Sequence, residues 1–245
     1  MPPKTHALCL LTRFYNSIWA HFLETFSEKY DIYMVIDDNV VMHDDMQTHN
    51  IHIVQIDDHE CRAHHYYGSS VASNLKDIVA WDKALYYFNR RHPFVEPYEY
   101  VWFLEDDVFL WGEELLHQMD ARYPASDLLT PFHEVNPRGD VGYGWNHWGN
   151  VIHRIGTPWA HSLVCACRLS HRLLQRIDEY VCDRPLLFIE ALYNTLALHH
   201  GYGVDTPPEL ECITYDGQWD ESNIVNRNRL YHPVKNMDLH VRLRG

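Results

Sequence analysis

Three consecutive acids, Glu105, Asp106 and Asp107, sit inside an otherwise apolar and aromatic stretch, residues 100–111, YVWFLEDDVFLW. Carboxylates in such a run are costly to bury unless a cation or hydrogen bonds compensate. Carboxylate oxygens are also the ligands hard divalent cations prefer. The chemistry on offer is therefore metal binding at a strand end that opens into a cleft. A plain acidic turn between two strands is the alternative, but a plain turn would not need aromatic residues packed on both sides of it.

Other residues offer different chemistry. Glu190 stands among Phe188, Ile189, Ala191 and Leu192. An acid in an apolar setting near a helix start is either a dipole-matched structural acid or a catalytic carboxylate. Lys83 precedes the acidic strand and is either a solvated lysine or a phosphate contact. Trp145, His147, Trp148 and Trp159 fall in a Gly-, Asn- and His-rich segment, residues 133–160. Indole faces pack against the C–H faces of sugar rings while their tips stay wet, although each Trp could equally anchor its loop. Long loops inside compact domains usually carry function.

The elements that must position these groups alternate. Residues 7–12 (ALCLLT), 32–36 (IYMVI) and 51–56 (IHIVQI) read as strands, the last two running into Asp37 and Asp38 and into Asp57 and Asp58. Ile18, Trp19, Phe22, Leu23 and Phe26 form one helical face, capped by Asn16 or Ser17. Residues 60–72 read as loop, and a helix spans 73–91, started by Ser73 or Asn74 and stopped by Pro93 and Pro97. The acidic strand is buried on both faces, as in the middle of a mostly parallel sheet. After it come a helix at 113–121, strands at 127–132 and 163–168, a helix capped by Ser170, and a helix from Pro185 to the stop at Gly201 and Gly203. The pattern is α/β, with ligands expected beyond the carboxyl ends of the strands.

Composition sets limits. The chain has 245 residues and a formal net charge of -14, with 34 acids against 20 bases. Phosphate backbones want a basic surface, so nucleic acid is not the expected partner. The 19 His are scattered, and pairs such as His64–His65 do not share a helix face. The six Cys show no zinc-finger spacing, and Cys165 and Cys167 read as small core residues on one strand face. There is no apolar run of membrane-spanning length, no leader-like h-region in MPPKTHALCLLTRF and no N-x-S/T acceptor. The expected setting is reducing and cytoplasmic.

With the acidic strand and the element order in hand, the chain resembles the GT-A class of nucleotide-sugar glycosyltransferases, in layout over roughly residues 6–205. In that class a Rossmann-like sheet ends a central strand in a DXD motif, matched here by Glu105, Asp106 and Asp107 with Glu in the first place. The resemblance implies one catalytic domain over 1–245, with nucleotide-sugar binding in about 1–112 and acceptor binding in about 113–245. It implies Mn2+ or Mg2+ on Asp107, with Glu105 touching ribose or metal, and His232 in YHPVK completing the metal or diphosphate site. Thr12, Arg13, Asp37 and Asp38 would hold the nucleotide base and ribose, Lys83 and Asp106 would belong to the donor site, and Trp145, His147 and Trp148 would meet the acceptor. Glu190 would be the general base of an inverting reaction. The implied partners are a UDP- or GDP-sugar and a glycan acceptor. A metal-dependent phosphoester hydrolase and a non-catalytic carbohydrate-binding protein are the rival classes.

Overall fold

The computed structural model describes residues 4–26, 29–40, 50–71, 77–91 and 97–245. In chain order these form β1 (His6–Thr12), α1 (Ser17–Leu23), β2 (Tyr30–Ile36), β3 (Ile51–Gln55), α2 (Asp58–Ala63) and α3 (Ala80–Tyr86), which runs into a π-helical turn at Tyr87–Arg91. Then come β4 (Tyr100–Glu105), α4 (Glu114–Arg122), β5 (Leu128–Leu129), β6 (Glu134–Asn136), β7 (Trp159–His161) and β8 (Ala166–Ser170). The chain continues through α5 (His171–Tyr180), α6 (Ile189–His199), β9 (Val204–Asp205), β10 (Cys212–Ile213), β11 (Tyr231–His232) and α7 (Met237–Arg244).

The fold is α/β, built on a seven-stranded sheet in the order β3-β2-β1-β4-β8-β5-β9. The first four strands are parallel, β8 runs antiparallel to both β4 and β5, and β9 is parallel to β5. The apolar runs expected for buried strands follow from this, because both faces are covered. Successive side chains point to opposite faces. On one face Cys9, Tyr33, Val101 and Phe103 pack with Trp81 and Leu85 of α3, Ile177 of α5 and Leu192 of α6. On the other, Leu8, Met34, Trp102 and Leu104 pack with Trp19 of α1 and Leu116 of α4.

Parallel register brings the strand ends to one edge. Leu11 lies opposite Glu105, and Thr12 opposite Ile36. Because β8 is reversed, it is the start of that strand that reaches the same edge, where the Glu105 amide donates to the Cys165 carbonyl at 2.9 Å.

Several sequence expectations shift. The third helix begins at Ala80, its start capped by the Asp82 carboxylate accepting from the Val79 amide at 2.7 Å; the proposed caps Ser73 and Asn74, and also Lys76 and Pro93, lie outside the described residues. Part of the 60–72 loop is helical, because Asp57 accepts from the His59 amide at 2.6 Å and caps α2. The strand expected at 127–132 is two residues long, and the helix expected from Pro185 starts at Ile189. Much of the 133–160 segment is exposed irregular chain, as expected of a surface loop, but Trp145, Trp148 and Trp159 are buried in the core. Cys165 and Cys167 do not share a face either, since Cys165 precedes β8 and packs in the cluster opposite Cys167.

Candidate active site

β4 ends at Glu105, and the chain turns there. The turn is held by backbone and side-chain hydrogen bonds: the Asp106 amide donates to Leu11 O at 3.0 Å, and Trp19 Nε1 donates to Asp106 O at 2.7 Å. The Asp106 carboxylate accepts from Thr12 Oγ1 at 2.7 Å. Asp106 and Thr12 are thus tied to each other, and burial lifts the Asp106 carboxyl above its ordinary value, against the Thr12 hydrogen bond.

The other two acids face a histidine from the far end of the chain. His232 Nε2 lies 3.2 Å from Asp107 Oδ1 and 3.7 Å from Glu105 Oε2. His232 Nδ1 is 2.8 Å from Thr214 O. A carbonyl can only accept, so Nδ1 carries a hydrogen and Nε2 is the nitrogen turned toward the carboxylates. β11 is placed by parallel pairing with β10, and the Phe109 and Tyr231 backbones exchange two hydrogen bonds of 2.8 and 3.0 Å. The Val234 amide also donates to Asp107 O at 2.7 Å.

The electrostatics of this cluster are strained in one direction. Glu105 is pushed up by burial and by the neighbouring Asp107 charge. His232 is pulled down by burial, but the Asp107 contact and the Asp107 and Glu105 charges outweigh it and raise it overall. Asp107 Oδ1 is buried and accepts no hydrogen bond. A buried carboxylate oxygen without a donor, beside an oriented imidazole and a second carboxylate, is a donor set a divalent cation would satisfy. Glu105, Cys165 and His232 each offer a ligand atom, all within 4.8 Å of one another. The residues present fit a metal.

Glu190 is brought to the same region. It is buried, and it is pushed up to about 7 by burial and the Glu105 charge, against the Tyr215 hydrogen bond and the His232 charge. Tyr215 Oη donates to Glu190 Oε2 at 2.7 Å and accepts from Trp145 Nε1 at 3.2 Å. Trp145 itself is clamped, stacked on His161 at 4.4 Å and on Phe188 at 5.5 Å between ring centroids. Trp148 is fully enclosed, and its indole N–H is spent on Tyr143 O at 2.6 Å. It therefore anchors this segment and has no face for an acceptor, which corrects the role given to it from sequence. His147 is partly exposed beside Trp145 and Phe188.

Lys83 is corrected too. Its ammonium is fully buried, 2.6 Å from Asp37 O, 3.1 Å from Asn39 Oδ1 and 2.8 Å from Asp58 Oδ1. Those acceptors take its three donors, so it fixes the end of β2 against α2 and is not free for a phosphate. Asp37 and Asp38 are buried at the same edge, their amides donating to Thr12 O and Arg13 O at 3.0 Å. Arg13 is exposed. The sequence reading missed Trp81, whose Nε1 donates to Glu105 Oε1 at 2.7 Å, and also Tyr215 and Cys165. Trp81 falls within the helix expected over 73–91, but no local signal ties it to an acid on another element.

No protein-family model matches the chain, and no curated protein sequence matches it. Among solved structures, mouse xyloside xylosyltransferase 1 in its apo form is similar at 12% identity, over 84% of this chain and 85% of that one, with a TM-score of 0.40. A likeness that slight carries no argument about function, which rests on the geometry above.

Proposed function

We propose that this chain is a metal-dependent glycosyltransferase that moves a sugar from a nucleotide diphosphate to an acceptor hydroxyl. The observation that carries the proposal is the meeting, at the carboxyl edge of parallel strands, of Asp107 Oδ1 without a hydrogen-bond donor, Glu105 and His232, with the raised carboxyl of Glu190 within reach of the Glu105 and His232 charges. Asp107 and His232 would hold the cation, and Glu105 would complete its shell. A divalent cation of the Mn2+ or Mg2+ kind neutralises the negative charge that grows on a departing diphosphate.

The protein's own groups do the rest. Asp37 and Asp38, with the exposed Arg13, form the strand-end rim where a nucleotide base and ribose would lie. Glu190 would accept the proton of the acceptor hydroxyl as that oxygen attacks, which favours inversion at the sugar carbon. A carboxyl pushed up to about 7 is matched to this task near neutral pH. Tyr215 holds the Glu190 oxygen in place from one side. His147, at the partly exposed margin of the Trp145 cluster, would meet the acceptor.

The test is calorimetric titration of a panel of UDP- and GDP-sugars, with and without Mn2+, on wild type and Asp107→Ala. Metal-dependent binding of one nucleotide sugar, lost in the variant, is the expected result. Metal binding with no nucleotide-sugar binding would overturn the transferase and favour a phosphoester hydrolase.

A further inference from the structure

Cys165 occupies a position the transferase reading does not use. It is buried just before β8, and its Sγ lies within 4.8 Å of the ligand atoms of Glu105 and His232. The backbone fixes it there: the Glu105 amide donates to Cys165 O at 2.9 Å, and Leu104 pairs with Ala166 in the next register position. Glu105 is held from the other side by Trp81, and His232 by Thr214. These three residues offer sulfur, imidazole nitrogen and a carboxylate oxygen around one point, and Asp107 Oδ1, which accepts no hydrogen bond, adjoins it at 3.2 Å from His232 Nε2.

We propose that Cys165 Sγ is itself a metal ligand, so that this centre is a cysteine–histidine–carboxylate site selecting a zinc-class ion, Zn2+ or Co2+, over Mg2+. The proposal rests on the reading that a divalent cation binds here, and it replaces Mg2+ with a softer ion as the one preferred. Mg2+ demands near-octahedral oxygen coordination and keeps its waters. Thiolate and imidazole instead favour later, softer divalent ions, and sulfur, nitrogen and carboxylate oxygen are the ordinary ligands of zinc. Binding breaks the S–H bond, forms a sulfur–metal bond and releases one proton to solvent, with no change of oxidation state. The alternative is that Cys165 is a small buried residue that fills space beside the acids.

The experiment is titration of the full chain with Co2+ alone, without any sugar nucleotide, followed by near-ultraviolet absorption. A thiolate-to-cobalt charge-transfer band is expected in the wild type and is expected to vanish in Cys165→Ser, a near-isosteric change, while the visible cobalt bands persist. Zn2+ affinity should fall by at least roughly the 10–100-fold that loss of even an outer-shell partner costs, with weak Mg2+ binding unchanged. Wild-type protein that binds Co2+ without the band, or a band that survives in Cys165→Ser, would overturn the proposal. The wild-type spectrum decides the first point even if the variant folds poorly. A band without nucleotide-sugar binding would keep the thiolate ligand and remove the transferase. Sugar binding without a band would do the reverse.

Discussion

Trp81 Nε1 donates to Glu105 Oε1 at 2.7 Å, which leaves Oε2 as the oxygen that faces His232 at 3.7 Å. A residue in the helix that covers one face of the sheet thereby sets the rotamer of an acid at the strand end. Trp81→Phe keeps most of the ring packing against Phe103 and Tyr193 and removes the N–H. The expected outcome is metal affinity weaker by about 10–100-fold with the fold retained, measured by calorimetric metal titration alongside circular dichroism.

Glu190 must be ionised to accept a proton. Its value near 7 predicts a rate that climbs with pH through that range. The Tyr215 hydrogen bond favours the ionised form, so Tyr215→Phe should move the acid limb of the kcat/KM profile to higher pH. An unchanged limb in that variant would remove Glu190 as the base.

Lys83→Met should destabilise the protein by about 3–5 kcal/mol, the usual cost of removing one partner from a buried ion pair. The substitution leaves Asp37 and Asp58 without their cation and takes the Lys83 donor from Asp37 O and Asn39 Oδ1. Urea denaturation of the variant against wild type measures this. A loss of nucleotide affinity with full stability would instead return Lys83 to the phosphate-binding role.

Asp82 is buried among apolar residues, accepts from the Val79 amide at 2.7 Å and the Ser69 amide at 3.0 Å, and is pushed up by burial to about 7. Its folded value lies above its unfolded one, so the folded state holds the proton more tightly. The stability it contributes is full below about pH 4 and is lost as pH rises through about 7, with a slope of at most about 1.4 kcal/mol per pH unit. Asp82→Asn, which cannot ionise, should flatten that slope in denaturation measured from pH 4 to 8.

The sequence showed those parts of the fold that arise from local pattern. Strands β1, β2 and β4 announced themselves because each is apolar on both faces, and Asn16 and Ser170 marked the starts of α1 and α5 through their capping side chains. The acids at the strand ends and the meeting of Glu105, Asp107 and His232 were legible as a resemblance in layout. What escaped was set by distant partners. Whether Lys83 faces solvent depends on Asp58 in the preceding helix, and whether Trp148 is a platform or an anchor depends on the packing of Trp145 and Trp159 around it. The direction of β8 was likewise invisible, because an apolar strand reads the same whichever way it runs.

The pairing of β11 with β10, and its contact with Phe109, bears on the protein's synthesis. All seven strands of the main sheet, β1 through β9, precede residues 231 and 232 in the chain, so N-to-C synthesis makes them before His232. Until that histidine arrives the acids have no imidazole beside them. The chain is therefore assembled as a scaffold first, and the imidazole joins the acids last.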